Sequence, residues 1–298
     1  MPKRDAPKRL AEKVIVITGA GRGIGRDYAL AMASEGARVV VNDLGTDLEG
    51  HTESKGPADA VVQEIASLGG RAIASHADIA DPAGARSIID TAREAYGRID
   101  ALVNNAAVEF RGSLSEHSSE VFERILAVNV RGTFNCLHAA LPPMMEQGSG
   151  VILNTTSGSC WEGTEGVAAY SASKAAVIGL MLTQHTELAR HGIASNCIAP
   201  SATRTRMLDS WLSQLAADSG RSEDDVMREY GIQGSANLAP LAVFLCSDTG
   251  RTISGQIFEI AGDRIVRVSP PTRGESISRD ADAWSFDEIA QKLPGLTR

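Results

Sequence analysis

The chain has 298 residues, 43% of them hydrophobic and 22% charged, which is enough to bury one large core. Its formal charge of -8 is spread over both halves, and the one basic cluster, Pro2-Lys3-Arg4 with Lys8-Arg9, argues against a nucleic-acid groove. Apolar runs stay short of the roughly 18 residues of a membrane span, and Cys136, Cys160, Cys197 and Cys246 lie far apart with no C-x-x-C pair, so no membrane, metal centre or disulfide scaffold is expected and a reducing cytoplasm is.

The first predicted strand, Val14-Ile15-Val16-Ile17, runs into Thr18-Gly19-Ala20-Gly21-Arg22-Gly23-Ile24-Gly25 and a helix over about 23–35. Glycines there let the backbone turn sharply and approach a pyrophosphate at a helix N-terminus, where free N–H groups and the dipole favour anions. A glycine-rich turn alone is a weak signal, but a strand before it and a helix behind it are the context that the dinucleotide motif requires. Gly19, Arg22, Gly23, Ile24 and Gly25 are therefore candidate cofactor residues.

The second strand, Val39-Val40-Val41, ends in Asn42-Asp43-Leu44, and Asp43 lies 24 residues after Gly19, near the spacing of an acid that meets ribose hydroxyls. The alternative for an Asp after a strand is a turn former. Facing the ribose, Asp43 would accept hydrogen bonds from the diol of NAD and repel the 2'-phosphate of NADP. Arg22 pulls the other way, and on balance NAD is the expected cofactor. Leu44 to Pro57 is a polar, glycine-rich loop where a tight turn would suffice.

A helix over about 57–68, a strand at Arg71-Ala72-Ile73, a helix over about 82–96 and a strand at Ala101-Leu102-Val103 continue the alternation. The next helix, about 118–147, carries Asn129 amid apolar neighbours, either a buried structural amide or part of a proton relay. Strand Val151-Ile152-Leu153 leads to Ser157, which would project from the carboxyl edge of the sheet, where ligands bind. In the helix over about 168–191, Tyr170-Ser171-Ala172-Ser173-Lys174 puts Tyr170 and Lys174 on one face. A tyrosine near its reference pKa of about 10 is a poor base at neutral pH, and a neighbouring ammonium favours its phenolate. A Y-x-x-x-K match occurs by chance in many helices, but here Ser157 stands 13 residues earlier and Asn129 28 residues before that.

A strand at Ile193-Ala194, a helix over about 238–247 and a strand at Ile257-Phe258 close the pattern, and a Pro-Pro-started tail beyond Val268 holds a short helix around Trp284 to Leu293. The βα alternation specifies an α/β fold: a Rossmann-type, doubly wound parallel sheet of about seven strands with helices on both faces. No internal boundary is visible, so residues 1–298 read as one domain, with a core of about 10–263 and an extension of about 264–298.

The glycine turn, Asn104-Asn105-Ala106-Ala107, Asn129, Ser157, Tyr170 and Lys174 together resemble the short-chain dehydrogenase/reductase family over roughly residues 10 to 263. The resemblance implies an oxidoreductase interconverting a secondary alcohol and a ketone, with Asn129, Ser157, Tyr170 and Lys174 as its catalytic tetrad. Ser157 would polarise the substrate oxygen, Tyr170 exchange its proton, Lys174 hold the ribose and tune Tyr170, and Asn129 hold a relay water. It also implies cofactor contacts from Leu44, Asp78, Ile79, Asn105, Ala106, Ala107, Pro200, Thr203 and Thr205, and a homodimer or homotetramer. Val39 to Gly45, the polar loop after it and Phe258-Glu259-Ile260 are similar to the (3R)-hydroxyacyl-CoA dehydrogenase units of multifunctional enzymes and their bacterial relatives.

Val108, Glu109 and Phe110, then Cys160 and Trp161, then Met207, Leu208, Trp211 and Leu212 are candidate walls of a pocket for a hydroxyacyl-CoA, hydroxysteroid or cyclic alcohol. The last group reads equally as an amphipathic helix against the core or a second subunit. Two other readings, a catalytically silent nucleotide sensor and a nucleotide-sugar epimerase or dehydratase, fit less well. The first would lack Tyr170 or Lys174, and the second would have another glycine spacing and a larger C-terminal domain.

Overall fold

The structure is a computed structural model that describes residues 8–46, 56–278 and 283–297. Most of the polar loop expected after Leu44, residues 47–55, lies outside the described residues. The chain divides into two units, Met1–Val268 and Ser269–Arg298.

The first unit runs β1 (Val14–Thr18), α1 (Gly23–Ser34), β2 (Arg38–Asn42), α2 (Gly56–Ser67), β3 (Arg71–Ser75), α3 (Pro82–Tyr96) and β4 (Ala101–Asn104). It continues with α4 (Ser119–Leu126), α5 (Thr133–Gln147), β5 (Gly150–Thr155), α6 (Ser159–Glu162), α7 (Ala168–Leu188), β6 (Ile193–Pro200) and β7 (Thr203–Arg204). After these come α8 (Arg206–Ser219), α9 (Glu223–Glu229), β8 (Gln233–Gly234), α10 (Ala239–Cys246), β9 (Ile257–Ala261) and β10 (Arg264–Val268).

The main sheet has the order β10-β9-β6-β5-β4-β1-β2-β3, parallel from β9 to β3. Alternation along the strands divides the core between its two faces. Val14, Val16, Val40, Leu102 and Ile152 meet Ile88 and Ile89 of α3 and Cys136, Leu137 and Met144 of α5. Their neighbours Ile15, Ile17, Val39, Val41, Val103 and Leu153 meet Tyr28 and Met32 of α1, Val61 and Ile65 of α2 and Leu245 of α10. Each such side chain, fully buried, contributes roughly 1.5–3 kcal/mol. Strands buried on both faces read as unbroken apolar runs, which is why they were legible.

The sheet has eight strands rather than about seven. The addition is β10, antiparallel to β9 across a two-residue loop with Gly262 at φ +62°, the first position of a hairpin turn that needs glycine. It was read as part of the extension because Arg264-Ile265-Val266-Arg267 is an exposed edge, charged rather than periodically apolar. The single helix expected over about 118–147 is α4 and α5 joined by a π-helical segment, Ala127–Gly132, centred near Asn129. Such an irregularity leaves no mark in apolar periodicity.

In the second unit, α11 (Phe286–Lys292) lies where the tail helix was expected. Its N-terminus is a capping box: the Glu288 N–H donates to Ser285 Oγ at 3.2 Å, and the Ser285 N–H donates to Glu288 Oε2 at 3.0 Å.

Candidate active site

A cavity of about 690 Å³ opens at the carboxyl ends of the parallel strands, lined by Gly19 after β1, Asp43 after β2, Asp78 after β3, Ala106 after β4, Ser157 after β5 and Pro200 at the end of β6. β1 lies between β4 and β2, so the chain reverses direction across the sheet there, the place where open α/β sheets bind ligands.

At one end the glycine turn forms a tight cradle. Gly19 has φ +63°, and a Cβ there would lie 2.7 Å from Cα of Ala106. Gly25 does not line the cavity; a Cβ on it would lie 2.2 Å from the Gly19 carbonyl oxygen, so its role is to let α1 close against the turn. Asn105 locks the same turn, donating from Nδ2 to the Thr18 and Gly19 carbonyls, each at 3.0 Å, while its N–H donates to Thr18 Oγ1 at 3.1 Å.

Asp43 forms the turn and lines the cavity. Its carboxylate accepts from the Gly21 N–H at 2.9 Å and the Gly45 N–H at 2.8 Å, so it does form a turn, and it also faces the cavity. Arg22 lines the cavity with its guanidinium on the Thr46 carbonyl at 3.1 Å, and Arg206 donates to that same carbonyl. Gly23, Ile24, Leu44, Asp78, Ile79, Asn105, Ala107, Thr203 and Thr205 complete this wall. A glycine cradle at the start of α1 with an acceptor carboxylate beside it fits a nicotinamide dinucleotide.

At the other end stand Ser157, Tyr170 and Lys174. Tyr170 and Lys174 share one face of α7, with Nζ 5.4 Å from the phenol ring centre. Lys174 is buried and donates from Nζ to the Thr155 carbonyl at 2.9 Å. Burial lowers its pKa to about 8. Tyr170 is pushed above the usual phenol range, first by burial and then by the Glu109 carboxylate, with the Ser157 hydroxyl and Arg111 opposing.

Asn129 does not line the cavity. Its side chain clamps the Val108 peptide, Oδ1 accepting from the N–H at 2.9 Å and Nδ2 donating to the carbonyl at 3.0 Å. Nδ2 also donates to Ser173 Oγ at 2.9 Å, which joins the loop after β4 to α7. The buried structural amide is thus what the geometry displays. Ser173 was missed, although a serine on the buried side of α7 next to Lys174 is a readable hint.

Of the expected substrate walls, Val108, Leu208 and Trp211 line the cavity, as does Met207. Phe110, Cys160 and Trp161 do not: Phe110 stacks edge-on with His117 at 5.1 Å, and Cys160 donates from Sγ to the Ser157 carbonyl at 3.0 Å. Leu212 turns inward onto Ala216, Val226 and Ile232, so α8 offers one face to the cavity and one to its own small core. Arg111, Arg206 and Glu259 line the cavity and were missed; Arg111 meets Glu109 in an ion pair at 2.6 Å.

The sequence profile of the short chain dehydrogenase family matches residues 13–216. The chain belongs to the short-chain dehydrogenase family. It is therefore an oxidoreductase, with the mostly parallel, helix-flanked sheet of that family. The peroxisomal multifunctional enzyme type 2 of Drosophila melanogaster is 36% identical over 262 residues, 88% of this chain but 41% of that protein, so the chain spans well under half of that relative's length. A 3-oxoacyl-[acyl-carrier-protein] reductase of Staphylococcus aureus is 35% identical over 84% of this chain and 97% of its own. Among solved structures, a 7 alpha-hydroxysteroid dehydrogenase complexed with NADH and 7-oxo glycochenodeoxycholic acid superposes with a TM-score of 0.74 at 32% identity, over 86% of this chain and 96% of that one. Among the described residues, no helix of this family member is long and apolar enough to cross a membrane, and no group of His, Cys, Asp and Glu is arranged to hold a metal.

Proposed function

We propose that this short-chain dehydrogenase interconverts a secondary alcohol and a ketone and prefers NAD. The observation that carries the reading is one cavity holding Ser157, Tyr170 and Lys174 at one end and the glycine cradle with Asp43 at the other. When bound, the nicotinamide supplies the hydride acceptor or donor. Ser157 donates a hydrogen bond to the substrate oxygen, and Tyr170 removes the hydroxyl proton during oxidation and returns it during reduction. Lys174 offsets the burial that opposes the phenolate and reaches toward the ribose. Val108, Leu208 and Trp211 suit an apolar body such as an acyl chain or ring.

Preference for NAD rests on Asp43, whose position is held by two backbone N–H groups and whose charge faces the cavity. With Tyr170 and Lys174 both present, a silent nucleotide sensor has no support. Half-exposed Phe122, Phe134 and Met145 on α4 and α5 support a homodimer or homotetramer, and four unpaired cysteines support a reducing compartment such as the cytoplasm. The test is NADH formation across hydroxyacyl-CoA thioesters, hydroxysteroids and cyclic alcohols. Turnover of at least one class supports the reading, and turnover of none refutes it.

A further inference from the structure

The wall of the reaction chamber carries a charged pair that neither hydride transfer nor dinucleotide binding uses. Glu109 and Arg111 both line the cavity beside Ser157 and Tyr170, whereas Phe110 between them turns away to His117. Glu109 is only 9% exposed. Arg111 Nε meets its Oε1 at 2.6 Å, and no other residue among those described pairs with the carboxylate. A carboxylate has room for about four hydrogen bonds, so acceptor capacity remains at a nearly dry surface next to the reacting oxygen. The segment is held in place from behind, because Asn129 clamps both the N–H and the carbonyl of Val108, the residue before Glu109.

Burying a carboxylate is unfavourable unless its lone pairs find donors. Arg111, itself half-exposed, supplies that only in part. A purely apolar alcohol filling the chamber would strip water from Glu109 and return nothing. A substrate with its own donor at that wall would replace the water, and one with a carboxylate there would be repelled. Sites built to bond a hydroxyl reject analogues that lack it far more strongly than apolar walls reject a missing methylene.

We infer that Glu109, held by Arg111, is a specificity-determining residue that accepts a hydrogen bond from a second hydroxyl of the substrate close to the carbon being oxidised. The substrate class is then a hydroxyl-bearing secondary alcohol. The inference rests on the alcohol dehydrogenase reading above.

The experiment uses a matched pair of probes, a vicinal cyclohexane diol and cyclohexanol, with NAD and the full chain, in wild type, Glu109→Gln and Glu109→Leu, each first checked for folding by circular dichroism and for NADH binding by fluorescence. In wild type, kcat/KM for the diol should exceed that for cyclohexanol at least tenfold. Glu109→Leu should abolish this ratio by raising KM for the diol, whereas loss of the carboxylate's effect on the Tyr170 phenol changes kcat for both probes alike and leaves the ratio unaffected. Glu109→Gln, which keeps an acceptor oxygen, should retain part of the ratio, and it carries the test if the leucine variant fails to fold, in which case a ratio equal to wild type overturns the inference. Wild-type turnover of both probes without discrimination, or equal losses on both in Glu109→Leu, overturns the inference and leaves the dehydrogenase reading intact. No turnover of either probe in wild type overturns the inference, and the wider substrate panel then decides the reading beneath it.

Discussion

The Lys174 ammonium lies 5.4 Å from the centre of the Tyr170 ring but donates its hydrogen bond to the Thr155 carbonyl. The lysine thus directs its hydrogen bond to the main chain, and the groups that oppose the upward shift of the Tyr170 phenol are the Ser157 hydroxyl and Arg111. Both groups are displaced from their ordinary pKa in the direction that disfavours charge, Lys174 down to about 8 and Tyr170 upward, with burial the first cause of each. The site keeps a buried amine 5.4 Å from the centre of a phenol ring.

A buried ammonium is a stability burden in the cofactor-free protein. Lys174 titrates near 8 when folded and near 10.5 when unfolded, so between these values the unfolded chain binds more protons and stability rises with pH. At pH 7 both states are protonated and the burden is complete, on the order of 3 kcal/mol. Lys174→Met should lose activity yet gain thermal stability relative to wild type below pH 8, and the gap should shrink toward pH 10. Thermal unfolding of both proteins at pH 7 and pH 10 checks this; a gap that grows with pH contradicts it.

Asn129→Ala removes three hydrogen bonds at once and leaves the buried N–H and carbonyl of Val108 without their partner. Leaving such groups unsatisfied costs about 1–3 kcal/mol each. Urea unfolding should show a lower midpoint with an unchanged slope, and KM for the alcohol should rise, because the loop carrying Val108 and Glu109 loses its clamp.

Gly25→Ala would set a Cβ 2.2 Å from the Gly19 carbonyl and 2.5 Å from Asn105 Nδ2, two atoms of the locked turn. Since the contact is with backbone, the turn itself has to move. Fluorescence titration should give a Kd for NADH at least tenfold weaker, about 1.4 kcal/mol.

On the proposed reading, Asp43 sets the cofactor preference by charge. A 2'-phosphate would bring about two negative charges to a carboxylate, and at an effective dielectric near 20 each unit pair at about 4 Å costs roughly 4 kcal/mol before rearrangement. Arg22 donates to the Thr46 carbonyl, so pairing with the phosphate would give up that hydrogen bond, worth about 0.5–1.5 kcal/mol. The kcat/KM for NAD should exceed that for NADP at least tenfold, about 1.4 kcal/mol. Asp43→Ala should narrow the ratio even if lost turn contacts lower both values. Equal use of the two cofactors by wild type would mean that Asp43 does not read the ribose.

The parallel sheet and the pairing of Tyr170 with Lys174 in one cavity were legible because each leaves a short-range mark: doubly buried strands are unbroken apolar runs, and Tyr170 with Lys174 is one helical turn. Asp43 was legible as a residue at the strand end, and the geometry shows it closing a turn at the edge of the cavity. The π segment at Asn129 and the clamp on Val108 were not legible, since both depend on which atoms meet across residues far apart in sequence. Phe110 was misplaced for a related reason: residues 105–111 form no regular element, so no periodicity told which side chains face inward, and Phe110 packs on His117 while Val108, Glu109 and Arg111 line the cavity. Edge strand β10 escaped because an exposed strand needs no apolar face.

If Tyr170 exchanges the substrate proton, kcat for alcohol oxidation in Tyr170→Phe against wild type, with NADH binding measured on the same samples, reports the loss. Only the phenolic oxygen is removed, so the variant should fold, bind NADH with a Kd within about twofold of wild type and lose roughly 10²- to 10⁴-fold in kcat. A variant that binds NADH normally and keeps more than about a tenth of wild-type kcat would contradict the account, because acid/base loss of that size is the least the mechanism allows.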